Sequence, residues 1–231
     1  MDALAAALLP HDILRVAGLS YVENAYTNLI AWAFDPSTSE AAALQAQRAW
    51  LASIPGLARR SIVAPARPVP QFVTEGGVPD LLLDYGDWVL LVEAKTGSAE
   101  HATPLGGKQT IDYPKAAREA LAKDSQFPVE IVLIAPELRE PANPDAFSGT
   151  YVQLAVALAS MLSTVPLPDE LRWTYRVLVT HFVGSACPWG SRMLEVRPRE
   201  WLDDAARDGD HVLLGHIEVI QLWDRVLPQA G

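Results

Sequence analysis

Asp80, Glu93 and Lys95 stand at spacings that bring them together if the chain between them is a hairpin. Gly86-Asp87 is a two-residue pair of the Gly-X kind that favours a type II′ turn. With those two as turn residues, Tyr85 pairs with Trp88 and Asp80 falls opposite Glu93. Directly paired residues project from one face with Cβ atoms about 4.5 to 5.5 Å apart, and Lys95, two positions on, shares that face. Like charges that close repel in a partly buried site unless one takes a proton, a cation intervenes or Lys95 neutralises part of them. A divalent metal is the simplest answer. Hard oxygen ligands suit Mg²⁺, with Mn²⁺ as a substitute, and waters and a substrate phosphate complete the shell. Such a site is catalytic and not structural.

The elements that must position these residues read as an α/β layered domain. Val22, Tyr26, Leu29, Ile30 and Ala33 recur at helical spacing, which predicts a first helix over 21–34, stopped by Asp35-Pro36. A second helix is expected from Glu40 to Leu57. Between Arg60 and Val73 the apolar residues are broken by Pro65, Pro68 and Pro70, which suits an edge strand or extended connection. Val78–Tyr85 and Trp88–Lys95 are the hairpin strands, apolar on both faces and therefore covered on both. A loop over 96–107, a helix to about Lys123 and a strand at Val129–Ala135 follow. Beyond Pro136, Tyr151–Leu162 reads as helix. Leu171–Phe182 is open between strand, from Val177, Val179 and Thr180, and helix, from the cap at Asp169. His211–Val226 is expected to be a terminal helix. One domain is expected over 1–231, with a core at about 20–135 and a largely helical extension at about 136–231.

Pro79-Asp80, followed thirteen residues later by Glu93-Ala94-Lys95, resembles the motif of the PD-(D/E)XK nuclease superfamily. The resemblance implies a restriction-endonuclease-like core, with a mixed central sheet flanked by helices, and Mg²⁺-dependent hydrolysis of phosphodiesters in DNA. It implies that Asp80, Glu93 and the Ala94 carbonyl hold the metal, while Lys95 orients or deprotonates the attacking water and contacts the scissile phosphate. A glutamate on the first helix often supplies a further acid to the metal site in that superfamily, and the resemblance implies that role for Glu23, bound to the metal directly or through water. Ser20-x-x-Glu23 is equally a capping box, so a purely local role for Glu23 stays open. Gln109 and, four residues on, Tyr113 share a helical face and match the polar pair that often opens the helix after the ExK strand. They are the implied substrate-binding and positioning groups. Pro114 departs from that pattern, because it is tolerated only if its helix begins near Thr110–Asp112.

Composition narrows the setting. The 231 residues carry 18 basic and 28 acidic side chains, a net charge of −10, which argues against nonspecific wrapping of nucleic acid. The single Cys187 excludes an internal disulfide and a cysteine zinc site, and fits a reducing compartment. No apolar run reaches the ~18 residues of a membrane span, and Met1–Pro10 lacks the charged leader of a secretory signal. A cytoplasmic nuclease in a bacterial defence, restriction or mobile-element system is the expectation. Its partners would be DNA and a second copy or another protein supplying target recognition. A catalytically silent nuclease-like binding module and a phosphoesterase acting on nucleotides are the alternatives. Arg59 and Arg60 are weak phosphate candidates, while Gly106-Gly107-Lys108 lacks the flanking residues of a phosphate loop.

Overall fold

The computed structural model describes residues 23–96 and 99–184. In chain order these form α1 (Glu23–Phe34), α2 (Glu40–Ser53), β1 (Pro68–Pro70), β2 (Leu81–Asp84), β3 (Val89–Ala94), α3 (Gln109–Ala120), β4 (Val129–Ala135), β5 (Phe147–Thr150), α4 (Tyr151–Thr164) and α5 (Asp169–Gly184). The sheet is mixed, in the order β1-β2-β3-β4-β5. β1, β2 and β3 run antiparallel, whereas β4 and β5 lie parallel to β3.

The hairpin has the expected register, with Leu81 opposite Val92 and Asp84 opposite Val89. Its turn works because Gly86 takes φ +91°, a left-handed conformation that costs glycine nothing. Side chains then alternate between two layers. Leu81, Leu83, Leu90 and Val92 join Val132 and Ile134 beneath α1, α2, α4 and α5. Leu82, Val89, Leu91 and Ile131 pack on Tyr113 and Ala117 of α3. Each fully buried leucine or valine contributes roughly 1.5–3 kcal/mol, so both faces hold the hairpin rigid.

Proline placement explains most differences from the expected boundaries. α2 ends at Ser53 and not at Leu57, because Ile54 precedes Pro55 and is extended at φ −96°, ψ 117°. β1 is a three-residue edge strand with proline at both ends, which leaves few backbone donors open to another chain. α3 begins at Gln109, so Pro114 sits inside it, deeper in the helix than the sequence pattern tolerates. Proline cannot donate to the Thr110 carbonyl four residues back; the Asn143 side-chain amide does so instead, at 3.0 Å. α3 stops short of Lys123 where Ala122 turns left-handed at φ 52°.

The layered core continues past Pro136, where sequence patterning placed the start of an extension. β5 pairs in register with β4, and α4 and α5 belong to the larger hydrophobic cluster. Phe147-Ser148-Gly149-Thr150 carries little strand signal, so β5 is invisible to patterning. The Thr150 and Gln153 side chains nevertheless form a reciprocal capping box that starts α4 directly from β5. The ambiguous stretch 171–182 is helical, and Tyr175, Leu178, Val179 and Phe182 are buried at helical spacing. The Tyr175 hydroxyl donates to the Ala33 carbonyl at 3.1 Å, tying α5 to α1. Cys187 and the expected terminal helix at His211–Val226 lie outside the described residues. Among the described residues no helix is long and apolar enough to cross a membrane.

Candidate active site

β2 leaves the ladder at Asp80, one pair short of Glu93. Pro79 has no N–H to offer, and the Asp80 carbonyl accepts instead from Gln71 N–H on the edge side, at 2.9 Å. The Asp80 side chain then takes the place of a backbone acceptor. Its Oδ2 accepts the Ala94 N–H at 2.8 Å, so a β3 amide clamps this carboxylate. Oδ1 receives the Gln71 side-chain amide at 3.3 Å. Gln71 is non-glycine at φ 52°, a strained conformation costing on the order of 1–3 kcal/mol, and the same amide reaches Asn24 beside Glu23.

Glu93 and Lys95 project to the α3 side of the sheet, and the Lys95 ammonium meets Glu93 Oε1 at 2.5 Å. Both are almost sealed from solvent, at 1 % and 2 % exposed, while Asp80 is 8 % exposed. Glu23 reaches the same ammonium from α1 at 3.4 Å, and its other oxygen accepts the Thr96 N–H at 3.2 Å. Glu23 is therefore more than a local helix cap. It joins the end of β3 to the first helix.

Charge in this cluster is unbalanced. Three carboxylates face one ammonium, a net charge of −2 when all are ionised. Burial, with Asp80 adding to it, pushes Glu93 up to about 8, even though Lys95 pulls the other way. Burial also raises Asp80, against the pull of Ala94 N–H and Lys95. Burial alone would lower Lys95, but Glu93, Glu23 and Asp80 hold it above the usual lysine value. Glu93 Oε2 is buried with no hydrogen-bond partner.

Among the described residues no group of three His, Cys, Asp or Glu side chains is gathered closely enough to hold a metal by itself. What is present is a pair of carboxylates from the two arms of the hairpin, the Ala94 carbonyl between Glu93 and Lys95, and Glu23 across the ammonium. An orphaned carboxylate oxygen, and a cluster that carries two surplus negative charges once all three acids are ionised, suit a hard divalent cation.

α3 contributes the remaining pair. The Gln109 amide donates to the Tyr113 hydroxyl at 3.2 Å, and its carbonyl oxygen accepts the His101 N–H at 2.8 Å. Gln109 thus orients Tyr113 and fastens the loop ahead of α3, with no hydrogen bond to Lys95. Burial raises the Tyr113 phenol, and the charges of Glu93 and Asp80 add to that rise, so its hydroxyl keeps its proton. The ring rests on Gly77, at φ +126°, where a Cβ would come within 2.9 Å of it.

Arg60 lies away from this site. It grips Glu130 on β4 and stacks 5.2 Å over Trp88, at the turn end of the hairpin. The backbone turn at Gly106-Gly107 serves structure: Gly107 N–H and the Thr103 hydroxyl both donate to Asp112. His181 is buried, with its ring 4.8 Å from that of Tyr26.

Two residues escape sequence reasoning altogether. Gln71 follows Pro70 in an irregular stretch, and nothing in its neighbours marks it. Glu100 lies in the loop before α3, where its carboxylate accepts from Thr110 N–H at 3.0 Å, the Thr110 hydroxyl at 2.7 Å and Ala142 N–H at 2.8 Å. It locks this loop, the start of α3 and the segment after β4 into one unit. No family model matches the chain, and neither a curated protein nor a solved structure matches it.

Proposed function

We propose that this chain is a divalent-metal-dependent nuclease that hydrolyses phosphodiester bonds in DNA. The observation that carries the reading is the buried cluster of Asp80, Glu93, Lys95 and Glu23 at one end of the hairpin, on the side of Tyr113. Asp80, Glu93 and the Ala94 carbonyl would hold the cation, with Glu23 as the third acid. When bound, Mg²⁺ or Mn²⁺ would supply Lewis-acid stabilisation of the phosphate and a water acidic enough to attack near neutral pH.

The chain's own groups do the rest. Lys95, held by Glu93 and Glu23, would orient the attacking water and offset charge gathering on a phosphate oxygen. Tyr113, kept protonated by its buried and acidic surroundings, donates a hydrogen bond to the substrate backbone. Gln109 fixes the direction of that donor. Gln71 and the Ala94 N–H fix the orientation of Asp80. A cytoplasmic role in bacterial defence, restriction or mobile-element biology belongs to the same proposal, as does a second copy or partner protein that selects the target. The restriction-endonuclease-like topology is the fold this reading implies.

The test is incubation of supercoiled DNA, linear DNA and RNA with Mg²⁺ or Mn²⁺, beside Asp80→Ala, Glu93→Ala and Lys95→Ala. Cutting by the wild type that falls at least 100-fold in each variant supports the reading. Cutting that survives all three substitutions overturns it, and a folded wild type that cuts nothing points to a silent binding module.

A further inference from the structure

A second feature opens beside the cluster, at the carboxyl ends of the parallel strands β3 and β4, where open α/β sheets bind ligands. It is a cleft of about 270 Å³ with Lys95 at its inner end, Leu133 in its floor, and Lys108, Arg139, Glu100 and Glu140 around it. Both oxygens of Glu100 are spent on Thr110 and Ala142, as described above. Lys108, by contrast, is exposed, and its ammonium touches only the Glu100 carbonyl, at 3.2 Å. In a chain of net charge −10, the cleft lining carries three basic side chains, Lys95, Lys108 and Arg139, beside two carboxylates, Glu100 and Glu140, and Lys108 is the cation that reaches solvent at its mouth.

From this geometry, and resting on the nuclease reading, we infer that the cleft seats the nucleotide next to the scissile phosphate, with Lys108 and Arg139 contacting its backbone phosphate. Small-ligand clefts span roughly 300–1,000 Å³; at about 270 Å³ this one falls just below that range, which suits a small unit such as one nucleotide. A short single strand is the simplest ligand that can present one nucleotide to it. Glu100 shapes the cleft by anchoring the backbone on either side of it.

The experiment measures binding of a fluorescein-labelled 12-nucleotide single-stranded DNA to full-length Asp80→Asn protein, with and without Lys108→Ala, Lys108→Glu or Arg139→Ala. Lys123→Ala is the control, because it removes the same charge at the far end of α3, beside Phe127. Lys108→Ala and Arg139→Ala should each weaken binding about 5-fold and lower the slope of log K against log salt by about 0.7. Lys108→Glu should weaken it further, and Lys123→Ala should leave it unchanged. In the cutting assay, Lys108→Ala should raise KM with kcat retained. If the wild type cuts DNA but the cleft variants bind like Lys123→Ala, the cleft assignment is overturned and the nuclease reading stands. If the wild type neither cuts nor binds, both fall together.

Discussion

Replacing Glu93 by glutamine should make the metal-free protein more stable while destroying its activity. Glutamine keeps the shape of the side chain and resembles a protonated carboxyl. The wild-type carboxyl is pushed up to about 8 from its usual 4.5 by burial and by Asp80. The raised value is a penalty on folding. It is absent below the unfolded value near 4.5, grows as pH rises, and is complete above about 8. At pH 7.5 the linkage ceiling is about 4 kcal/mol; relaxation around a coupled pair, and the weaker bond from glutamine to Lys95, reduce the expected gain to about 2 kcal/mol. For a domain of this size that is a Tm rise of roughly 4 to 8 °C. The assay is thermal unfolding followed by circular dichroism, in EDTA, at pH 7.5 and at pH 5. The gap between variant and wild type should shrink to under about 1 kcal/mol at pH 5. A variant less stable than wild type at pH 7.5, or a gap equal at both pH values, would refute the charge reasoning.

Adding Mg²⁺ should raise the Tm of the wild type in proportion to log concentration at saturation, and leave Glu93→Gln unmoved; a shift of the same size in both would place the ion elsewhere. Gln71→Gly should lower DNA cutting about 10-fold while changing stability by under about 1 kcal/mol, because relief of the left-handed strain offsets the lost hydrogen bond and the freer unfolded chain. Equal cutting by this variant and the wild type would remove Gln71 from the positioning of Asp80. Gln47 is fully buried and bonds the Phe34 carbonyl at 2.9 Å and both backbone groups of Ala66 at 2.8 and 2.9 Å. Gln47→Leu should therefore cost about 3 kcal/mol or more in urea unfolding, since it strands three backbone groups. A loss under about 1 kcal/mol would mean that water takes over those bonds.

Much of the scaffold was legible because local chemistry forces it. Gly86-Asp87 determines the hairpin register, Asp35-Pro36 ends the first helix, and the apolar run Val129–Ala135 stops at Pro136. The register in turn puts Asp80, Glu93 and Lys95 at one end of the hairpin, before any coordinates exist. Prolines also mark where sequence reading overreaches. Ile54 cannot stay helical before Pro55, while Pro114 is accepted inside α3 only because Asn143, distant in sequence, supplies the missing donor.

What tertiary structure alone decided is who completes the site. Glu23 could cap its own helix or reach Lys95, and the packing of α1 against the end of the sheet brings it within 3.4 Å of that ammonium. β5 has no pattern of its own; it exists because β4 offers it an edge. Gln71 and Glu100 act through side-chain hydrogen bonds to residues that folding brings alongside. A pairing register is a local, repetitive constraint and can be counted along the chain. Contacts between elements depend on how whole layers stack, and no spacing of residues encodes them.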